Sequence, residues 1–430
     1  MERVAPSIPR ESPNPTIPRA FYTSRRPSPP AWILLDNNAF INDWENATTA
    51  TACTSTGQPI RVTLAAAEPP RDSYFCVHCP CLTKKRKHGE DDVPVFPWDM
   101  GGPVPPTVIC SEGDLALLRV PLSPDDHPTD YFIYRLGRRP WLRLLPATFS
   151  GAEFVRYAPL GLVPIGGGGD HFAVAASYVR MESTHKLHVF LSDRGTWTTT
   201  PLALGPSRVY VVPTKVVAIG GGELCWVDLR QCILVCDVLN DDDPSPVSSR
   251  CPSCSPPTSR TSRIATRVST VTSSSALTRP DISSADVLYD SELPLGRLPQ
   301  KYEYHGWRIV TWNRTVSSNC WRKRALIHVD DVVANDPGHT ALLRPMAGDT
   351  GQGLMMRNLR TQVPSLNIHG GDVVYVMVKV KQHDTKAWML AVDMAKKTLE
   401  EVAPISAEES ACPSYLSCAL TKYLNILKTD

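Results

Sequence analysis

Four residues able to ligate a metal stand close together in the run YFCVHCPCL: Cys76, His78, Cys79 and Cys81. Thiolate and imidazole are the usual donors of structural zinc, which takes two short-spaced pairs converging from the two ends of a small module. The other close pair, Cys251-x-x-Cys254, lies in a Ser, Thr, Pro and Arg stretch with no strand alternation. In extended backbone Cys76 and His78 share a face and Cys79 takes the opposite one. The pattern therefore favours buried strand cysteines over a zinc site, and no cofactor is expected.

Other constellations are weaker still. Gly166 to Gly169, followed by Asp170 and His171, has the look of a phosphate loop. No Lys-Ser/Thr follows it, and strand text rather than a helix continues the chain, so the helix N-terminus that holds a phosphate is missing. Gly370 and Gly371 read the same way, as turns. No G-x-S-x-G elbow occurs. The acidic clusters Asp241 to Asp243 and Asp330-Asp331 sit at loop boundaries, where solvated turns are the simple reading. His305, His328, His339 and His369 carry no metal or catalytic spacing. The basic run Lys84-Lys85-Arg86-Lys87 satisfies a minimal nuclear-import pattern in a charged loop, and a solvated loop explains it equally well.

The elements that must position any site are strands. In VVAIGGGELCWVDLRQCILVCDVL (Val216 to Leu239) a glycine turn joins two strands and a second turn leads into a third. Leu224 and Trp226 fall on one face, Cys225, Val227 and Leu229 on the other, so both faces are apolar. A sheet that is apolar on both sides must be stacked between two others, as propeller blades are. Similar text recurs from Val108, from His171 and from Asp372. The starts at Val108, His171 and Val216 lie about 45 to 65 residues apart, the period of propeller blades. Met389 to Val402 contains good helix formers, but strand–turn–strand is the preferred reading by analogy with Lys186 to Leu204. The tail from Ser414 to Lys428 sets Tyr415, Leu416, Ala419, Leu420, Tyr423, Leu424 and Leu427 on one helical face, which predicts a docking helix, with a closing strand as the alternative.

Composition sets the frame. The chain has 430 residues, 40 of them proline, enough for a large core with long connections. A formal charge of +2 gives no global pull toward nucleic acid or an anionic membrane. No apolar run approaches the roughly 18 residues that span a bilayer. The 13 cysteines, with no secretory leader in the opening residues, point to a reduced compartment, cytoplasmic or nuclear. Residues 1–30 read as a disordered Pro-rich tail and 31–430 as one propeller-like domain of about five to seven blades. Pro244 to Ser284, rich in Ser, Thr, Pro and Arg, is expected to interrupt that domain as a disordered excursion without core strands.

The run GGGELCWVDLRQCILVCDVL, with PPAWILLD, YFCVHCPCL, HFAVAASY, TWNRTVSS and KAWMLAVDMAKKTLEEVAP, resembles the plant domain-of-unknown-function 1618 family, abundant in cereals. The likeness spans Pro30 to about Asp242 and Gly306 to about Leu424. It implies a kelch-like propeller akin to the domains that follow F-boxes, and no catalytic residues. After Asp243 the family continues with further strands, where this chain has its Ser/Thr/Pro/Arg segment. The expected role is a non-enzymatic scaffold that holds another protein. Two alternatives stand beside it: a small-ligand binder or enzyme with its site in the central channel, and a ubiquitin-ligase-type adaptor lacking a recognisable F-box.

One outcome follows from the cysteine pattern. Purified protein is expected to carry no stoichiometric zinc; elemental analysis finding one zinc per chain, lost on Cys79→Ser, would overturn the buried-strand reading.

Overall fold

A computed structural model of the chain describes residues 30–82, 105–123, 128–147, 160–166, 171–179, 185–202, 215–227, 232–240, 247–250, 268–274, 281–292, 303–315, 322–343, 356–361, 364–368, 371–381, 384, 386–406 and 415–422. Among the described residues strands dominate, arranged as separate sheets, with one short helix.

The first sheet uses β1 (Ile33–Asp36), β2 (Phe40–Ile41), β3 (Ala50–Cys53), β4 (Pro59–Ala65) and β5 (Asp72–His78). Four-stranded antiparallel sheets follow in chain order. The second comprises β6 (Thr107–Glu112), β7 (Leu115–Pro121), β8 (Thr129–Arg135) and β9 (Trp141–Leu144). The third comprises β10 (Leu160–Ile165), β11 (His171–Val179), β12 (His185–Leu191) and β13 (Thr196–Leu202). The fourth comprises β14 (Lys215–Gly220), β15 (Glu223–Val227), β16 (Cys232–Asp237) and β17 (Val247–Arg250). The fifth comprises β18 (Val268–Ser274), β19 (Asp281–Glu292), β20 (Glu303–Thr315) and β21 (Arg322–His328). After α1 (Pro337–Leu343), the sixth uses β22 (Arg360–Thr361), β23 (Ser365–Leu366), β24 (Val373–Lys379), β25 (Lys386–Asp393) and β26 (Thr398–Ser406). The last described strand, β27 (Tyr415–Cys418), then returns to the first sheet and pairs antiparallel with β1, from Ile33↔Cys418 to Asp36↔Tyr415.

Packing explains why the strands carry apolar residues on both faces. One core cluster joins Leu35, Val62 and Phe75 of the first sheet to Leu118, Phe132 and Tyr134 of the second. Another joins Leu117 and Ile133 of the second to Phe172, Val174 and Phe190 of the third. A third joins Ala173 and Leu187 to Leu224, Trp226 and Leu234 of the fourth. Trp307 and Ile309 of the fifth pack with Val374, Val376 and Leu390 of the sixth. Leu34 and Tyr415 of the first meet Tyr375, Met377 and Met389 of the sixth. Polar ties reinforce the stack: the Tyr134 hydroxyl donates to the Thr48 carbonyl at 2.7 Å, and Trp197 Nε1 to that of Pro146 at 3.2 Å.

The glycine turn sits as expected, between β14 and β15, with Gly220, Gly221 and Gly222 all at positive φ. Another glycine serves close packing. A Cβ on Gly161 would lie 2.6 Å from both a Leu224 and a Val216 side-chain carbon, so β10 approaches the fourth sheet only because that position has no side chain.

Three expectations change. The tail forms strand β27 rather than the docking helix: Tyr415, Leu416 and Cys418 are all buried, and pairing with β1 outweighs a helical periodicity that a strand of four residues obeys by coincidence. The repeat unit gains a strand, because β10 precedes the His171 start and a fourth strand closes each unit. Within Pro244 to Ser284 the backbone at 247–250, 268–274 and from 281 onward is strand, paired in register with β16 and β20. Val and Thr in VSTVTSS are β-branched strand formers, and sheet hydrogen bonds are made by backbone whatever the side-chain polarity. Residues 251–267 and 275–280, residues 1–29 and the basic run Lys84 to Lys87 lie outside the described residues. The strand–turn–strand reading of Met389 to Val402 agrees with β25 and β26.

The inter-sheet core yields a stability prediction. Trp226, fully buried between the third and fourth sheets, should cost about 3 to 5 kcal/mol on replacement by Ala. Denaturant unfolding reads this; a loss below about 1 kcal/mol would contradict the packing described.

Candidate functional site

Four titratable groups that burial moves from their ordinary values, Cys110, Glu112, Lys215 and Cys418, stand on edge strands of three sheets. β6 carries a bulge between Val108 and Cys110, which resets the register before Ser111↔Ala116 and Glu112↔Leu115. Gly113, at φ 59°, then turns the chain into β7. Lys215 opens β14, opposite Val227. Cys418 ends β27, its thiol hydrogen-bonded to the Ser111 side chain and to the backbone of Leu420.

Cys110, Ser111 and Glu112 thus come from the second sheet, Cys418 from the first and Lys215 from the fourth, and each of the two thiols feels a charge carried by another sheet. Glu112 and Lys215 both bear on the Cys110 thiol, and both bear on that of Cys418. Lys215 and Glu112 are both partly exposed. Among the described residues the side chain of neither makes a hydrogen bond or an ion pair.

Burial dominates the protonation of the cluster. It pushes the Glu112 carboxyl up from 4.5 to about 7. It pulls the Lys215 ammonium down from 10.5 to about 8, against the opposing pull of the two thiols. Burial first and Glu112 second raise Cys110 to about 12. Cys418 rises to about 11, burial again being the largest cause. At neutral pH both thiols are therefore protonated and Lys215 is an ammonium, whereas Glu112 is partly ionised and the Ser111 hydroxyl donates to the Leu115 carbonyl at 3.0 Å.

The residues singled out by spacing are placed elsewhere. Cys76 packs with Ala65 and Tyr74, beside Phe40 and Trp44. Cys79 is buried between the first and second sheets, with Cys81 packed against the same core. Burial, then a hydrogen bond with Cys79, raises the Cys81 thiol to about 12. His78 Nδ1 lies 3.1 Å from Asp43 Oδ1, and Arg61 pairs with both Asp43 and Glu45. Cys79 and Cys81 thus pack together, apart from Cys76, and among the described residues no group of three or more His, Cys, Asp or Glu is arranged to hold a metal ion. Asp330 pairs with Arg357 at 3.2 Å and Asp331 with Lys397 at 3.4 Å, as surface turn residues do. Cys251, Cys254 and Asp241 to Asp243 lie outside the described residues.

Sequence reasoning did not single out Cys110, Glu112, Lys215 or Cys418. The available signal was slight: one charge ending VICSE and one opening KVVAIG.

The pH dependence has a definite sign. Glu112 stabilises the folded protein fully below pH 4.5, and that contribution is lost as pH rises through about 7. Glu112→Gln should therefore gain stability over the parent protein between these limits, by about 1 to 2 kcal/mol after allowance for solvent contact. Lys215 has the opposite course: its desolvation penalty is full below about 8 and is relieved toward 10.5, so Lys215→Met should be most stabilising below pH 8. Melting temperatures across pH 5 to 9 check both; a difference that stays flat with pH would refute the burial of these groups.

Three comparisons bear on identity. No curated protein matches the chain significantly. Among solved structures, the tail fibre of Staphylococcus aureus phage P68 aligns with 84% of this chain and 83% of its own at 10% identity, with a TM-score of 0.17, too low to carry an argument. The family described as "Protein of unknown function (DUF1618)" matches residues 226–375, from β15 through the fifth sheet into β24, and this match supports the DUF1618 family as the one the chain resembles.

Proposed function

We propose that the six sheets are the blades of a kelch-like propeller and that the chain is a non-enzymatic scaffold holding another protein on one face of the disc. The observation that carries the reading is the order of contacts among one strand from each sheet. β6 lies against β10, β10 against β14, β14 against β18, β18 against β23, β23 against β27, and β27 against β6. With β27 paired to β1, that order returns to its start, the closure propellers use to protect their edges.

The antiparallel register gives the disc unequal faces. Within the second to fourth sheets, the second-to-third connection and the link to the next sheet leave from the same end. Segments 145–159, 203–214 and 251–267 all attach there, whereas β6–β7 and β14–β15 are joined at the other end by 113–114 and 221–222. Long connections on a rigid frame are where recognition residues are usually carried. A cytoplasmic or nuclear setting goes with this reading: the cysteines whose side chains are described are free thiols, and no described helix is long and apolar enough to cross a membrane.

Proximity labelling with the full chain in its native tissue, followed by hydrogen exchange on the purified pair, tests the proposal. A recurrent partner should slow exchange in segments 145–159, 203–214 and 251–267. Protection confined to the outer strands β9, β13 and β21, or no recurrent partner, would refute it.

A further inference from the structure

The last strand of a sheet has a backbone edge that can pair with another chain, and proteins ordinarily blunt such edges with brevity, charge or cover. Among the described residues most outer strands carry one of these devices. β3, β9 and β17 are four residues long. β21 exposes Arg322, Lys323 and Arg324 in a row. β26 exposes Glu400 and Glu401, and Val333 covers its start, donating to the Lys397 carbonyl at 2.9 Å and accepting from the Leu399 N–H at 3.0 Å. β13, the outer strand of the third sheet, is different. It runs for seven residues, TWTTTPL, without a charge, and Thr196, Thr198, Thr199 and Pro201 are exposed. Threonine and tryptophan are strand formers, so this edge is long, neutral and ready to pair.

We propose that β13 is a self-association edge, at which a second copy of this chain adds its own β13 antiparallel across a two-fold axis. The register follows from the strand itself. Pro201, opposite Lys186, has no N–H to give β12, so it belongs to the alternate set, Trp197, Thr199 and Pro201, whose backbone faces outward. An axis through Thr199 overlaps the whole strand, and any shifted register overlaps less. The two Thr199 residues then form a hydrogen-bonded pair, and each Trp197 N–H donates to the Pro201 carbonyl of the other copy. Thr198 meets Thr200 of the other copy on the face turned toward the fourth sheet, a favourable cross-strand pair. Neutrality selects a second copy over a foreign strand: an edge that meets its own copy gains nothing from charge of one sign, whereas β21 and β26 suit strands of opposite charge. His188 on β12, with Nδ1 2.7 Å from Thr199 Oγ1, adds no charge at neutral pH, because burial lowers its pKa to about 4. Trp197 holds the edge in place: its Nε1 donates to the Pro146 carbonyl at 3.2 Å and its ring lies 5.5 Å from that of Phe190. An edge already ordered in this way loses little freedom on pairing.

The inference goes beyond the scaffold reading and does not rest on it, since strand pairing alone makes β13 an outer strand. Sedimentation equilibrium of the full chain tests it. A single strand pair is a small interface, so a reversible monomer–dimer equilibrium with a dissociation constant on the order of 10 µM is expected. Thr198→Lys combined with Thr200→Lys sets lysine against lysine across the axis and should weaken dimerisation at least about tenfold. Thr198→Lys combined with Thr200→Glu sets lysine against glutamate at both symmetric places and should dimerise within about threefold of the parent protein, or more tightly. The two variants change the same positions, so their difference reads the register rather than folding. A chain that stays monomeric up to about 100 µM, or a double-lysine variant that dimerises within about twofold of the parent, would overturn the proposal. So would a lysine–glutamate variant as impaired as the double-lysine one. Monomers whose β13 amides slow in exchange only when another protein is added would assign the edge to a foreign strand and overturn it as well.

Discussion

The described strands of this protein bury apolar residues on both faces of their sheets, and a sheet of that kind is soluble only when another sheet covers each side. Burial of apolar surface, about 25 cal/mol per Å² removed from water, is thus the interaction on which the architecture rests. Leu224 and Trp226 look toward the third sheet. Phe172 and Val174 look the other way, from the third sheet toward the second. An edge sheet would leave such a face wet, and the return of β27 to β1, with Leu34 and Tyr415 packed on the sixth sheet, supplies cover for the first and the last.

That constraint was legible in the sequence because strand periodicity shows on both faces at once. ELCWV and ILVCD have no polar face, and strand pairing leaves such text only a stacked arrangement. What could not be read were strands held by backbone pairing rather than by their own side chains. VSSR and VSTVTSS contain little to bury, yet they complete the fourth sheet and open the fifth. The tail failed for a related reason: four residues are too few to separate a period of two from one of 3.6, and the decision was made by Ile33 to Asp36, almost four hundred positions away.

The candidate site shows the same division. Alternation correctly sends Cys79 away from Cys76 and His78, which is legible locally. Glu112, Lys215 and Cys418, in contrast, are unremarkable where they stand in the chain, because a lone charge at the end of an apolar strand is ordinary. Their chemistry comes from being brought together by sheets one, two and four, and from the loss of water there. Non-local convergence of this kind leaves no spacing motif. A search for ligand-like spacing therefore selected the cysteine run, whose residues the fold disperses.

The most direct test of the account is native-state hydrogen exchange at the closing pair. If burial between successive sheets and the return of β27 hold the molecule together, amides of Ile33–Asp36 and Tyr415–Cys418 should exchange only with global unfolding. Their protection should equal that of Glu223–Val227 at the centre of the fourth sheet. Exchange of Tyr415–Cys418 at the rate of an open strand, with Glu223–Val227 still protected, would contradict it.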